Sequence, residues 1–244
     1  MRVALVMSTL VLTAHGSRDP RSGANAGAVA ARVRLLRPGL DVRLAFLDLN
    51  EPGLVDVLAG LPDSRRAVVT PLLLASAYHA RRDIPKQIAE AGAHGVGQAD
   101  VLGEDDRLVS VLRERLSRVG VSALDDDLGV MVVAIGSSDA AANARTAQVA
   151  SRLAAGTSWV GAATGFSTRP DASVARAAHQ LRRRGARRLV IAPWFLAPGL
   201  FTDKLAAYAR DNGIPMAAPL GAHPLVAETV LDRYDQALAQ NAAA

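Results

Sequence analysis

The sequence predicts an α/β protein of two similar lobes. Each lobe is expected to be a four-stranded, mainly parallel sheet flanked by helices, with a cleft between the lobes. Three observations predict this. Short apolar runs alternate with stretches of helical periodicity along the whole chain. Runs such as "AVVTPLLLA" and "RLVIAPWFLA" are continuously apolar rather than alternating, so both faces of those strands must be covered. The chain also repeats itself with a period of about 120 residues.

Taken in order, the first half places apolar strand runs near 9–14, 41–47, 67–74 and 97–102, with helical stretches near 22–36, 53–60, 82–91 and 105–118. The second half places strands near 129–135, 158–163, 187–195 and 215–218, and helices near 138–154, 171–184, 202–211 and 223–239. The repeat ties the two series together. "LVLTAHGSRD" (10–19) aligns with "VMVVAIGSSD" (130–139), "RRAVVTPLLLA" (65–75) with "RRLVIAPWFLA" (187–197), and "LGEDDRLVSVLRERL" (102–116) with "LGAHPLVAETVLDRY" (220–234). Three matches in the same order indicate duplication of one α/β unit. The acidic "DDD" at 125–127 is the natural joint, giving an N-terminal lobe over 1–125 that carries the site and a degenerate C-terminal copy over 126–244.

Composition narrows the chemistry. The 244 residues are half hydrophobic and 21% charged, an ordinary globular balance. Without cysteine, disulfides, thiolate metal sites and cysteine nucleophiles are excluded, so a metal must be held by histidine, carboxylate or non-protein ligands. The net charge of +5 is carried by arginine, Lys86 and Lys204 being the two lysines of the chain. Such basicity suits a polyanion. Nucleic acid is not expected, because aromatics make up only 4% of the chain and the arginines are scattered over helices. The apolar N-terminus reads as a first strand with a short leader rather than a signal peptide, and no stretch approaches the roughly 18 apolar residues a membrane span needs. A cytoplasmic protein is expected, and the fused halves make a monomer self-sufficient.

The repeat separates scaffold from chemistry. Gly16 and Gly136 recur, so the tight turn after the first strand belongs to the fold. His15 aligns with Ile135, and His79 with Phe201, so histidine at these places is not required by the fold. Both imidazoles fall just past the end of a strand, where α/β sheets bind ligands. "AFLDLNEPGL" (45–54) adds Asp48 and Glu51 at the same edge; each also reads as a local cap, Glu51 at a helix start and Asp48 in its loop. Two imidazoles and a carboxylate are able to bind a divalent first-row ion with positions left open. Arg18 and Arg21 follow His15, and Arg81, Arg82 and Lys86 follow His79. This is either a solvated basic face or a rim for a substrate with several carboxylates. His94, His179 and His223 read as loop or surface residues. There is no P-loop or dinucleotide fingerprint, and Ala14 stands where a histidine phosphatase would carry its arginine.

"HGSRDP", "FLDLNEP" and "PLLLASAYHARRDIP", in this order and spacing, resemble the sirohydrochlorin chelatases, the cobalto- and ferrochelatases of the two-half bacterial type. The resemblance covers the first half closely and the second as its degenerate copy. It implies two chelatase-like lobes and a lyase that inserts Fe²⁺ or Co²⁺, with Ni²⁺ a further option, into sirohydrochlorin, for siroheme or cobalamin. The metal is a substrate and no permanent cofactor is implied. The substrate is a reduced tetrapyrrole with eight carboxylates, which accounts for the arginines, including Arg18 and Arg81. By the same resemblance His15 is metal ligand and proton acceptor, and His79 is the second ligand. Asp48 stands where the family often has Glu, as a candidate third ligand, and Glu51 matches the family pattern on the substrate side. Leu74, Ala75, Ser76, Ala77 and Tyr78 would line the macrocycle. Trp194, Phe195 and Phe201 are candidate rests for the ring's apolar face, with ordinary core or cleft packing the alternative, favoured for Trp194 and Phe195. The alternative reading is a tetrapyrrole- or metal-binding protein without efficient turnover.

Overall fold

The computed structural model describes residues 8–62, 66–76, 79–167 and 170–243. Among these, contacts divide the chain into two compact units: Met1–Gly103 with Pro224–Ala244, and Glu104–His223. The boundary expected from the repeat, between 125 and 126, marks the end of one sequence copy. The compact units are drawn differently, because the last helix of each copy packs in the unit built from the other.

In the first unit, strands β1 (Ser8–Ala14), β2 (Asp41–Phe46), β3 (Arg66–Pro71) and β4 (Val96–Gln98) form one parallel sheet in the order β2-β1-β3-β4. β1 is buried from Thr9 to Ala14, its Leu10–Leu12 run flanked by the buried threonines Thr9 and Thr13, as a strand covered on both faces requires. Val11, Ala45 and Val69 pack with Leu54 and Leu58 of α2 (Leu54–Ala59) and Ile84 of α3 (Ile84–Glu90). On α1 (Pro20–Leu36) lies α8 (Pro224–Ala243), which also packs on β3 and β4. Asp19 caps α1 by accepting from the Arg21 backbone N–H, and Pro20 occupies the first turn, where its missing N–H is no loss. α8 is anchored at Tyr234, whose hydroxyl meets Ser8 Oγ at 2.5 Å, and at Arg233, which donates to the carbonyls of Val101 and Leu102.

In the second unit, β5 (Leu128–Ala134), β6 (Gly161–Phe166) and β7 (Arg188–Pro193) form a parallel sheet in the order β6-β5-β7. Met131, Val133 and Ile191 pack against Val174 and Leu181 of α6 (Pro170–Arg183) and Leu205 of α7 (Leu200–Asp211). α5 (Ala140–Ala154) packs on β5 and β6, and α4 (Asp106–Ser117) lies against α5 and β7. The fourth strand expected at 215–218 does not form. Met216 makes a single parallel bridge to Ile191, held by Ile191 N–H to Pro215 O and Ala217 N–H to Ile191 O. Pro215 and Pro219 bracket this segment and have no N–H to extend a ladder. The strand expected at 158–163 lies a few residues later, at Gly161–Phe166.

Candidate active site at the strand ends of the first unit

Strand order alone locates a binding edge. β1 has β2 on one side and β3 on the other, so the sheet reverses its winding between β1 and β3, and ligands of open parallel sheets bind beyond the carboxyl ends at such a switch point. His15 directly follows β1, and residues 72–79 follow β3.

Three loops are tied together there by backbone bonds that continue the sheet. Leu47 N–H donates to Ala14 O, Asp48 N–H to His15 O, and Leu72 N–H to Thr13 O. Half-buried His15 has its Nδ1 3.1 Å from Gly16 O. Gly16 adopts φ +96°, and a Cβ there would lie 1.7 Å from Asp48 O. Only glycine permits that close approach of the two loops. Ser17 N–H donates to Asn50 Oδ1 at 2.6 Å, and Ser17 Oγ accepts the Asp19 N–H. Leu49 takes a left-handed φ of 63°, uncommon for a branched side chain and a sign of a loop held by its surroundings. Gln87 of α3 donates to Leu47 O, and Gln98 of β4 donates to Ala80 O, steadying the β2 loop and the π-helical turn His79–Asp83.

The expected residues divide as follows. Asp48 and Glu51 are exposed at this edge, and each carboxylate accepts a local N–H, from Leu49 at 2.8 Å and from Gly53 at 3.1 Å. These are local loop contacts, and α2 itself is capped at Gly53 without a side-chain bond. Leu74, Ala75 and Ser76 are partly buried in the loop after β3, and Ser76 Oγ accepts from Arg81 Nε. Ala77 and Tyr78 lie outside the described residues, and of His79 only the backbone, opening the π-helical turn, is described. Arg18 is exposed and makes no ion pair among the described residues. Arg21 is bound at 2.5 Å to Asp19, and that hydrogen bond holds the Asp19 carboxyl below its usual range. Lys86 pairs with Glu90 on its own helix. Among the described residues no three histidine or carboxylate side chains gather as a metal-holding group.

The corresponding edge of the second unit shares part of this backbone framework and carries different side chains among the described residues. Ser167 N–H donates to Ala134 O, Trp194 N–H to Val133 O, and Gly136 adopts φ +90°. Ile135 stands where His15 stands and is 45% exposed. Trp194 and Phe195 are 2% and 6% exposed, so they are core residues rather than rests for a ring; Phe201 remains open at 38%. His94 and His179 are exposed, and His223 is held 2.9 Å from Glu114 Oε2. Sequence reasoning did not single out Asn50, Gln87 or Gln98. All three act across loops that meet only after folding.

The fold is a duplicated parallel α/β unit in which only the first copy carries a histidine directly after its first strand. The CbiX family pattern matches residues 9–119 and again 129–237, and the chain belongs to that family. A sirohydrochlorin ferrochelatase of Priestia megaterium is 26% identical over 209 residues, spanning 82% of this chain and 77% of the relative. A sirohydrochlorin cobaltochelatase of the same organism is 24% identical over 95% of this chain and 80% of its own length. Among solved structures, SirB from Bacillus subtilis with Fe³⁺ superposes with a TM-score of 0.80 at 21% identity, covering 94% of this chain and 95% of that one. CbiX, described as the terminal enzyme of siroheme biosynthesis in denitrifying bacteria, superposes at 0.70 with 25% identity, over 94% and 99% of the two chains.

Proposed function

We propose that this chain is a sirohydrochlorin chelatase that inserts a divalent metal, Fe²⁺ or Co²⁺, into the macrocycle. The observation that carries the reading is the asymmetry of the duplicate: the same strand-end turn bears His15 in the first unit and Ile135 in the second. Family membership and the relatives' names support the substrate.

Insertion breaks two pyrrolic N–H bonds as ring nitrogens take up the ion, so a base must remove protons while the metal is delivered. His15 is the proposed base and first ligand, since imidazole is the side chain suited both to taking up a proton and to ligating a first-row ion. His79 is the proposed second ligand and Asp48 the third. Few ligands with open positions suit an ion that has to be released. Glu51, the run Leu74–Tyr78, Arg18 and Arg81 are the proposed substrate contacts, the arginines addressing carboxylates. The protein acts in this reading as a monomer in the cytoplasm, with Ni²⁺ a further possible substrate metal. Described residues contain no helix long and apolar enough to cross a membrane.

Metal-free protein given sirohydrochlorin and Fe²⁺, Co²⁺ or Ni²⁺ in turn, followed by absorbance, tests this. Multiple turnovers are expected, with His15→Ala and His79→Ala each losing at least about a hundredfold, the usual contribution of a general base. Full activity in either variant removes that residue from the mechanism. Asp48, one methylene shorter than the glutamate often found at this place in the family, keeps open a second reading, a tetrapyrrole or metal binder without turnover. That reading predicts spectral shifts on binding that stop at one equivalent.

A further inference from the structure

At the opposite end of the second unit's sheet lies a cavity of about 290 Å³ that the proposed chemistry does not use. It is bordered by the first residue of β5, Leu128, by the first three of β7, by the end of α6 and by the turns at Gly120 and Gly213. Its floor is apolar: Leu128, Leu189 and Ile214 are almost fully buried. Three arginines, Arg182, Arg187 and Arg188, stand around it.

These arginines are not equivalent. Arg188 is held by Asp125 at 3.1 Å and Asp127 at 3.7 Å, and Asp125 is further occupied by the Ser122 N–H. Arg182 and Arg187 have no carboxylate partner among the described residues. Other arginines near element ends, such as Arg37 and Arg107, are paired with Asp235 and Asp105. Two guanidinium groups without a carboxylate partner among the described residues border this apolar floor, and such groups bind anions through charge-assisted, fork-shaped hydrogen bonds. The turn amides do not compete for it, since Gly120 N–H donates to Ser117 O and Gly213 N–H to Arg210 O.

We infer that this cavity binds a small organic anion, a carboxylate or phosphate on a single apolar ring or short chain, with Arg182 and Arg187 on the charge and Leu128, Leu189 and Ile214 beneath the body. The volume is at the lower end of the roughly 300–1,000 Å³ of small-molecule sites, which suits one ring and not a macrocycle. The site is independent of the chelatase reading.

The test follows backbone amide resonances of the intact chain during titration with benzoate, phenyl phosphate, inorganic phosphate and neutral benzyl alcohol. Expected are saturable shifts at Gly120, Val121, Gly213 and Ile214 with benzoate or phenyl phosphate, the stronger of the two identifying the anionic group. Inorganic phosphate and benzyl alcohol should each bind at least about tenfold more weakly, because each supplies half of the recognition. Arg182→Glu with Arg187→Glu, both exposed positions, should abolish saturation while the unfolding temperature is retained. Equal binding of benzyl alcohol, unchanged affinity in the double variant, or no saturable shift up to about 20 mM of either aryl anion would overturn the inference.

Discussion

A Cβ placed on Gly16 would stand 1.7 Å from the carbonyl oxygen of Asp48, at a φ of +96° that side chains other than glycine's rarely adopt. The same contact lets Asp48 N–H reach His15 O, so the loop that carries the candidate base is braced by its neighbour through glycine alone. Gly16→Ala must therefore push the two loops apart. We expect a loss of at least about 2 kcal/mol in unfolding free energy, from backbone strain plus the clash, together with loss of metal insertion. Denaturant unfolding and the insertion assay check it; a variant with both properties intact would show that the loops move without cost. His15 and Gly16 were legible in the sequence because the duplicate keeps one and discards the other. Asn50 was not, since an amide that caps Ser17 from another loop leaves no local pattern. Trp194 and Phe195 stayed open between core packing and a rest for the ring for a related reason. Apolar character at a strand end does not say whether a side chain faces the core or the cleft, and here both are buried.

At the scale of elements, the helices that close each unit are held by equivalent residues. Arg233 of α8 donates to Val101 O and Leu102 O, and Arg115 of α4, its counterpart in the repeat, donates to Leu220 O. Replacing Arg233 by Ala leaves those carbonyls without their donor in a partly buried place. A loss of about 1–3 kcal/mol is expected by denaturant unfolding. Next to this anchor, α4 carries Glu114, whose carboxyl is held below its usual range by the hydrogen bond from His223. A depressed folded-state pKa means stability that is present above the ordinary glutamate value of about 4.3 and lost as pH falls through the lowered one. His223→Ala should therefore melt at a lower temperature than the parent at pH 5–6, and the gap should close toward pH 3. A gap that persists unchanged to pH 3 assigns the effect to something other than Glu114. The helices themselves were readable from periodicity. Their destination was not, because an amphipathic face records that a helix packs and not on which sheet. The missing strand at 215–218 shows the complementary limit, where an apolar stretch between two prolines could not extend its single bridge.

At the scale of the whole molecule, the exchange of α4 and α8 determines what one repeat can do alone. The copy spanning 1–125 contains β1 to β4 and α1 to α4, yet its own compact unit is completed by α8, whose Tyr234 is 1% exposed beside β1. Without α8, the face of α1, β3 and β4 that it covers is left open to water. α4 leaves the sheet at Gly103 and packs with the other copy's strands, with Arg113 donating to Arg152 O and Ala155 O and Arg152 in turn pairing with Asp106. Because α4 and α8 are repeats of one sequence, two copies of 1–125 have a ready solution. Each donates its α4 to the α8 position of the other, a closed and symmetric swap. A fragment comprising residues 1–125 is accordingly expected to fold only as a dimer, with a light-scattering mass of twice the chain. Its melting temperature should rise with protein concentration, as mass action requires when folding and association are one step. A folded monomer with a concentration-independent melt would mean that α4 turns back onto its own sheet, and that the exchange in the full chain is a consequence of fusion rather than of the repeat's design.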